Sequence, residues 1–156
     1  MLKIYGRKNS INVQKVMWLI GELEIDHERI DAGGQFGIVN EDWYLSLNPM
    51  GRVPLLVEGN YALWESHAIV RYLASKYSAG NLWPNDPEHR AQAEKWMDWK
   101  RSFLQPAMHE AFWGLIRTPR EQRNVEAINQ SAKQSGNLFS LLNTHLKERT
   151  FVNGNK

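Results

Sequence analysis

The stretch V-P-L-L-V-E-G-N-Y-A-L-W-E-S-H-A-I-V-R-Y-L, residues 53–73, decides the fold. Its first six residues are mostly apolar and favour a strand, and Gly59-Asn60 is a two-residue hairpin signal that returns the chain into a second strand over residues 61–64. From Glu65-Ser66 onward the apolar residues recur at the spacing of one helix face. The stretch therefore predicts a β-hairpin followed directly by a helix.

The residues upstream predict a strand, a helix and a second strand. Residues 2–6 alternate apolar and polar, as a half-buried strand does, and residues 13–23 carry apolar side chains at helical spacing. Residues 27–31 are short and strand-like, and residues 32–52 predict a long surface loop with room for one helical turn. The order β-α-β, loop, β-β-α predicts an α+β domain of thioredoxin-like plan, with a four-stranded mixed sheet over residues 1–77.

The composition changes after residue 77. The segment S-A-G-N-L-W-P-N-D-P, within residues 78–87, is rich in glycine, proline and asparagine and predicts a linker. Residues 88–156 contain no strand pattern. They predict one long helix over residues 88–116, with a kink at Pro106, and a second over residues 121–148. The predicted inner face of the second helix consists of Val125, Ile128, Ala132, Phe139, Leu142 and Leu146. An all-α domain therefore follows the first.

The composition excludes several classes of protein and of site. The 156 residues include no cysteine, so disulfide scaffolds, cysteine metal sites and a cysteine nucleophile are excluded. No apolar run approaches the roughly 20 residues of a membrane span, and the first residues lack a secretory h-region. The net charge is only +2 and the basic residues are scattered, so we expect no nucleic-acid partner. We expect a soluble, cytoplasmic protein with no membrane partner.

Two motifs in fixed order resemble the cytosolic glutathione S-transferases. They are N-P-M-G-R-V-P-L-L-V at residues 48–57 and L-W-E-S-H-A-I-V-R-Y-L-A at residues 63–74, and a serine follows the first predicted strand at family spacing. The resemblance covers essentially the whole chain. The serine makes it similar to the serine-type, theta-like bacterial branch. It implies a detoxifying transferase, usually a homodimer, that uses glutathione as co-substrate and needs no metal.

Ser10 and Asn12 are the candidate catalytic residues. Glutathione brings a thiol with an ordinary pKa of about 8.5, and the thiolate is the nucleophile. A helix N-terminus and a hydroxyl donor both stabilise such an anion, and Ser10 precedes the first predicted helix. The resemblance implies that its hydroxyl donates a hydrogen bond to the thiolate. A plain helix cap is the alternative interpretation of Ser10, and Asn12 either adds a second contact or takes over the role.

The resemblance also implies the residues that bind the rest of glutathione. It implies a cis peptide at Val53-Pro54 and a Val53 backbone that pairs with the cysteinyl backbone of the ligand, and a proline that merely starts an edge strand is the alternative. It further implies that Glu65 binds the α-ammonium group while Ser66 and the free N–H groups of its helix bind the γ-glutamyl carboxylate, and an ordinary helix cap is the alternative. Arg52 faces the glycyl carboxylate or is simply solvated. His67 contacts the ligand or a partner subunit, although a surface histidine is the simpler interpretation.

Aromatic residues in the second half are candidates for the electrophile pocket. The family builds that pocket on the first long helix of the second domain, where this chain carries Trp99, Phe103, Phe112 and Trp113. Trp96 fits a core position instead. None of the five histidines pairs with a carboxylate at metal-ligand spacing, so we expect no metal site.

The chain departs from the family where it stops, at F-V-N-G-N-K. Family members continue into further helices, so we expect either a piece of a longer chain or a helical domain that completes its core by association. The leading hypothesis is conjugation of glutathione to small apolar electrophiles. Peroxide reduction and dehalogenation would use the same thiolate and stay open. A binding or scaffolding protein that has lost activity is the alternative.

Overall fold

A four-stranded mixed sheet forms the centre of the first half of the chain. The computed structural model describes residues 1–154, which divide into a unit over Met1–Asn85 and a second unit from Asp86 onward. The strands are β1 (Leu2–Tyr5), β2 (His27–Ile30), β3 (Leu55–Glu58) and β4 (Tyr61–Trp64). Their order across the sheet is β2-β1-β3-β4, with β1 and β2 parallel and the other pairs antiparallel. The predicted four-stranded mixed sheet and the hairpin at Gly59-Asn60 are confirmed.

Helices α1 (Ile11–Glu22) and α3 (Ser66–Tyr77) pack together against the sheet, whereas α2 (Asp42–Leu47) lies in the predicted loop. The core combines Val16 and Ile20 of α1 with Ile69 and Leu73 of α3 over Leu2, Ile4 and Leu56 of the sheet. Each such side chain contributes about 1.5–3 kcal/mol when fully buried. The loop also contains a 3₁₀ turn at Gly34–Phe36, so it is more structured than the sequence predicted.

The second unit is helical, as predicted. It contains α4 (Pro87–Trp99), α5 (Gln105–Ala107), α6 (His109–Phe112) and α7 (Val125–Leu146). Wider π-type turns occupy Lys100–Leu104 and Trp113–Arg117, and a 3₁₀ turn occupies Arg120–Gln122. Pro106 offers no N–H to the carbonyl four residues earlier, which accounts for the irregular helix around it. In the part of the chain that the structure describes, no helix has both the length and the apolar character needed to cross a bilayer.

The buried face of α7 is partly different from the predicted one. Ile128 is buried as expected, and Leu142 and Leu146 are half-buried. Val125, Ala132 and Phe139 are exposed, the first and last by 64% and 45%, so their assignment to the inner face is wrong. Ser131 and Ser135 are buried on that side instead. The reason is close packing: the Ser131 hydroxyl bridges the backbone of α5 and α6, and a Cβ on Gly114 would lie 2.5 Å from Ile128 Cδ1.

A polar network joins the β3–β4 hairpin to α3. Glu58, at the end of β3, accepts hydrogen bonds from Lys76 Nζ at 2.6 Å and from the Tyr72 hydroxyl at 2.8 Å. The hydrogen bond from Lys76 is the main cause that holds the pKa of Glu58 below its ordinary value of 4.5, and the bond from Tyr72 is the next. The hairpin and the helix that follows it are therefore linked through one carboxylate.

We expect Glu58→Gln to lower the free energy of unfolding at pH 7 by about 0.5–1 kcal/mol, the upper part of the range for partly exposed ion pairs. Because the folded-state pKa is lowered, this stabilisation is present above pH 4.5 and is lost as the pH falls through the folded-state value. Chemical denaturation of both proteins between pH 7 and pH 3 measures the difference. Glu28→Gln is the control, since Glu28 and Lys3 are both more than 40% exposed and lie 3.7 Å apart. Parallel pH curves for wild type and Glu58→Gln would contradict the expectation.

Candidate active site

Three junctions of the first unit meet at one edge of the sheet. In the register of the sheet, Tyr5 at the end of β1 lies opposite Leu55 at the start of β3, and Leu55 lies opposite Trp64 at the end of β4. The chain therefore enters α1, β3 and α3 from the same edge. An open cleft there encloses about 390 Å³, counting the solvent at its mouth. Its lining residues are Asn12, Asn48, Met50, Arg52, Val53, Pro54, Trp64, Glu65 and Ser66.

Ser10 is the N-cap residue of α1, but its side chain makes no capping hydrogen bond. Its backbone is extended, with φ −92° and ψ 119°, and its carbonyl accepts the first helical bond, from Gln14 N at 2.9 Å. The residue is 9% exposed. The first N–H groups of α1 have no partner within the helix, and Asn12 in that first turn lines the cleft. The hydroxyl makes no capping bond, so the interpretation as a plain helix cap is not supported, but Ser10 itself is not among the residues that line the cleft.

Val53 and Pro54 form the wall of the cleft next to β3. The peptide between them is cis, as the resemblance implied. Neither the N–H nor the C=O of Val53 makes a backbone hydrogen bond within residues 1–154. The Val53 side chain lies close to Gly33, where an added Cβ would be 3.1 Å from Val53 Cγ1. Gly33 has φ +76°, a conformation that favours glycine, so this close packing depends on that residue.

Glu65 and Ser66 form the junction between β4 and α3. Glu65 has φ +72° and ψ 110°, a combination that costs a residue with a Cβ about 1–3 kcal/mol. Its side chain is exposed, and no ion pair of its carboxylate is found in the described part of the chain. Ser66 is 7% exposed and begins α3, whose first N–H groups are free of helical partners. A carboxylate and a set of N–H donors therefore lie side by side.

The remaining predicted residues of the first unit have different environments. Arg52 is exposed and lines the cleft, which leaves both of its interpretations open. His67 is 7% exposed, so the simpler interpretation as a surface histidine is wrong. It lies two turns from the buried Ala74 on the same side of α3, which explains its burial.

Sequence reasoning missed four residues that build or support the cleft: Tyr44, Asn48, Met50 and Trp64. Asn48 and Met50 belong to the motif N-P-M-G-R-V-P, and Trp64 precedes Glu65, so their neighbours were the available signal. Tyr44 lies within the six-residue α2, which is too short for a periodic pattern. It is fully buried and donates a hydrogen bond to the carbonyl of Arg52.

The aromatic candidates belong to the second unit. Trp99 packs edge-on against Trp96 with ring centroids 5.4 Å apart, and Trp113 lies 5.9 Å from His109. Phe103, Phe112 and Trp113 are 59%, 44% and 51% exposed. Their role in an electrophile pocket stays a prediction. Trp96 is half-buried and stacks on His145 at 4.5 Å, which partly agrees with the core position predicted for it. Within residues 1–154, no group of three or more histidine, aspartate and glutamate side chains could hold a metal ion.

Comparison with known proteins identifies the family. The family model for the glutathione S-transferase N-terminal domain matches residues 1–75. Glutathione S-transferase GstB of Escherichia coli is 45% identical over 158 residues, which is all of this chain and 76% of that protein. The chain belongs to the glutathione S-transferase family.

Two further relatives of this transferase support the same family. The theta class glutathione S-transferase from Xanthomonas axonopodis pv. citri, solved with glutathione bound, superposes with a TM-score of 0.94 at 39% identity, covering 99% of this chain and 74% of that one. Glutathione S-transferase D6 of Drosophila melanogaster is 28% identical over 99% of this chain and 70% of its own length. The predicted family, the theta-like resemblance and the fold are confirmed, and the chain spans about three-quarters of the length of these relatives.

The strained conformation of Glu65 leads to a stability prediction. Because glycine adopts positive φ without strain, we expect Glu65→Gly to raise the free energy of unfolding by about 0.5–1 kcal/mol, after part of the gain is lost to the flexibility of glycine in the unfolded chain. Glu65→Gln keeps the Cβ and should match wild type within about 0.5 kcal/mol. Denaturant titration measures all three proteins. A Glu65→Gly variant less stable than Glu65→Gln would show that this conformation carries no strain.

Proposed function

We propose that the cleft binds glutathione and that the protein activates its thiol for attack on small, mostly apolar electrophiles. The observation that carries this proposal is the convergence of donors from three junctions, namely the start of α1, the backbone of Val53 and the start of α3, on one cleft. Glutathione is an extended anionic peptide with acceptors along its length. The glutathione-bound Xanthomonas transferase, at 39% identity, supports this choice of ligand.

Each group of glutathione has a partner of matching chemistry. The γ-glutamyl carboxylate accepts from the Ser66 hydroxyl and from the backbone N–H groups of Ser66 and His67 at the start of α3. Glu65, whose carboxylate is exposed, binds the α-ammonium group. The cysteinyl backbone pairs with the N–H and C=O of Val53, as an added strand would. Arg52 balances the glycyl carboxylate.

The thiol is then held at the start of α1. Ser10 donates a hydrogen bond to the sulfur, the helix N-terminus adds favourable partial charge, and Asn12 supplies a second polar contact. Together they lower the pKa of the thiol, so more of it is thiolate at neutral pH. The thiolate attacks the electrophile by substitution or addition, and Ser10 forms no covalent bond. Trp99, Phe103, Phe112 and Trp113 are the proposed apolar contacts of the electrophile.

The assembly and setting of the protein are proposed mainly from the family. We propose a homodimer that acts in the cytoplasm in detoxification, with glutathione as co-substrate and without a metal. The supporting observation for a self-association is the set of large apolar side chains that this chain exposes, among them Ile11, Trp18 and Met50, which are 62%, 74% and 57% exposed. Sedimentation analysis measures the assembly directly.

The Ser10→Ala variant tests the mechanism. We expect the bound thiol to have a higher pKa, because the thiolate loses a charge-assisted hydrogen bond of about 1.5–3 kcal/mol, and turnover at neutral pH to fall about tenfold to hundredfold. The pH–rate profile should shift to higher pH, and the dissociation constant of glutathione should change little. Ultraviolet titration of the bound thiolate and a conjugation assay with a generic electrophile provide the measurements.

Asn12→Ala is the matched variant in the same assays. An unchanged rate for Ser10→Ala together with a slower Asn12→Ala would transfer the role to Asn12. Wild-type retention on immobilised glutathione without turnover of any electrophile would instead favour a binding protein. Failure of the wild-type protein to be retained on immobilised glutathione would contradict the proposal.

A further inference from the structure

We propose that Tyr44 and Asn48 are positioning residues that aim the Val53 N–H into the cleft by holding the carbonyl at the other end of the same peptide unit. This inference rests on the proposed glutathione function and adds two residues to it. Neither side chain was predicted to take part, and Tyr44 does not line the cleft.

The carbonyl of Arg52 is held by two buried side chains. The Tyr44 hydroxyl donates to it at 2.7 Å and Asn48 Nδ2 donates to it at 2.6 Å. Tyr44 is 0% and Asn48 is 2% exposed. A carbonyl oxygen has two lone pairs, so this one is saturated by two donors that bulk water does not reach. The Arg52 carbonyl therefore has a fixed direction, toward the interior.

Fixing that carbonyl also fixes the N–H of Val53. The Arg52–Val53 peptide is planar and trans, and in such a unit the C=O and the N–H point in opposite directions. Since the C=O points at Tyr44 and Asn48, the N–H points away from them. Val53 lines the cleft, and its side chain is directed to Gly33. The Val53 N–H is thus presented to a ligand before any ligand arrives.

The two donors are themselves tied to rigid elements. Asn48 Oδ1 accepts from Met50 N at 3.1 Å, and the Asn48 backbone bonds to Tyr44 O and Gly51 N at 2.8 and 3.0 Å, so the turn is built around this one residue. The Tyr44 ring packs edge-on against Tyr5, at the end of β1, with centroids 6.3 Å apart. The residues that hold the Arg52 carbonyl are therefore themselves anchored to the turn and to the end of β1.

The Tyr44 hydroxyl remains a hydrogen-bond donor over the whole pH range in which a thiol ionises. Burial raises the pKa of Tyr44 to about 12, and the hydrogen bond with Asn48 offsets part of that effect. The ordinary pKa of a thiol, about 8.5, lies well below this value. The hydroxyl thus stays protonated through the whole range in which glutathione ionises, and the position of the N–H is independent of pH there.

A positioning role and a general structural role predict different effects on different ligands. The Val53 N–H is proposed to meet the cysteinyl carbonyl of glutathione, so loosening this N–H should weaken only ligands that carry that carbonyl. γ-Glutamylcysteamine keeps the γ-glutamyl group and the thiol but lacks the cysteinyl carbonyl and the glycine. A comparison of the two ligands separates positioning from stability.

The test is calorimetric titration of glutathione, with γ-glutamylcysteamine measured by competition, against wild type, Tyr44→Phe and Asn48→Ala. We expect the dissociation constant of glutathione to rise about threefold to tenfold in each variant, the effect of one weakened hydrogen bond, and that of γ-glutamylcysteamine to change less than about twofold. Tyr72→Phe is the control, because it removes the hydroxyl bonded to Glu58 by the same chemical change outside the cleft, and should alter neither value.

Equal weakening of both ligands, or no weakening of either, would overturn the inference while leaving the proposed function in place. Failure of wild type to bind glutathione would instead overturn the proposed function, and this inference with it. Thermal unfolding of each variant checks that it folds. Asn48→Ala decides the question if Tyr44→Phe does not fold, because the two variants remove different donors from the same carbonyl.

Discussion

The candidate site depends on backbone N–H groups that no helical or strand carbonyl accepts. The first turns of α1 and α3 supply such groups, because neither N-cap side chain makes a capping hydrogen bond, and Val53, just before β3, supplies one more. An exposed donor of this kind costs little because water satisfies it, and an incoming anion or carbonyl replaces that water. The register of Tyr5, Leu55 and Trp64 places these donors along one edge of the sheet. The spacing of these donors therefore depends on the backbone of the sheet and not on the side chains.

Side chains then turn this row of donors into a selective site. The exposed carboxylate of Glu65 stands beside the start of α3, so a ligand with both a carboxylate and an ammonium group fits there better than a simple anion. The hydroxyl of Ser10, free of capping bonds, stands at the start of α1. If glutathione binds as proposed, these groups would already be in place when charge develops on its sulfur. The same arrangement explains how a chain without cysteine can belong to a family that performs thiol chemistry.

Much of the fold and the location of the site could be predicted from the sequence. The hairpin at Gly59-Asn60 and the alternation in β1 are local patterns, and each has one dominant physical cause. The motif around Val53-Pro54 predicted a candidate site through its resemblance to a family, and the structure places Arg52, Val53 and Pro54 on one cleft. The residues that hold the Arg52 carbonyl could not be predicted in the same way. Tyr44 and Asn48 reach the Arg52 carbonyl only after the loop has folded, and no periodic pattern marks them.

The helical half was harder to predict for a different reason. Apolar periodicity placed Val125 and Phe139 of α7 inside, but the structure buries Ser131 and Ser135. At Ser131 the reason is local, because its hydroxyl bridges the backbone of Ala107 and Ala111, whereas the buried Ser135 hydroxyl makes no hydrogen bond within the described residues. His67 was misjudged similarly, because helical position and not polarity decides its burial.

Titration of glutathione into isotopically labelled protein, followed by amide NMR, tests the proposed binding mode most directly. The amide signals of Asn12, Val53, Ser66 and His67 should shift together and saturate with one dissociation constant, since one ligand contacts all three junctions. Saturable shifts confined to residues outside these junctions, or no shifts at millimolar glutathione, would contradict it.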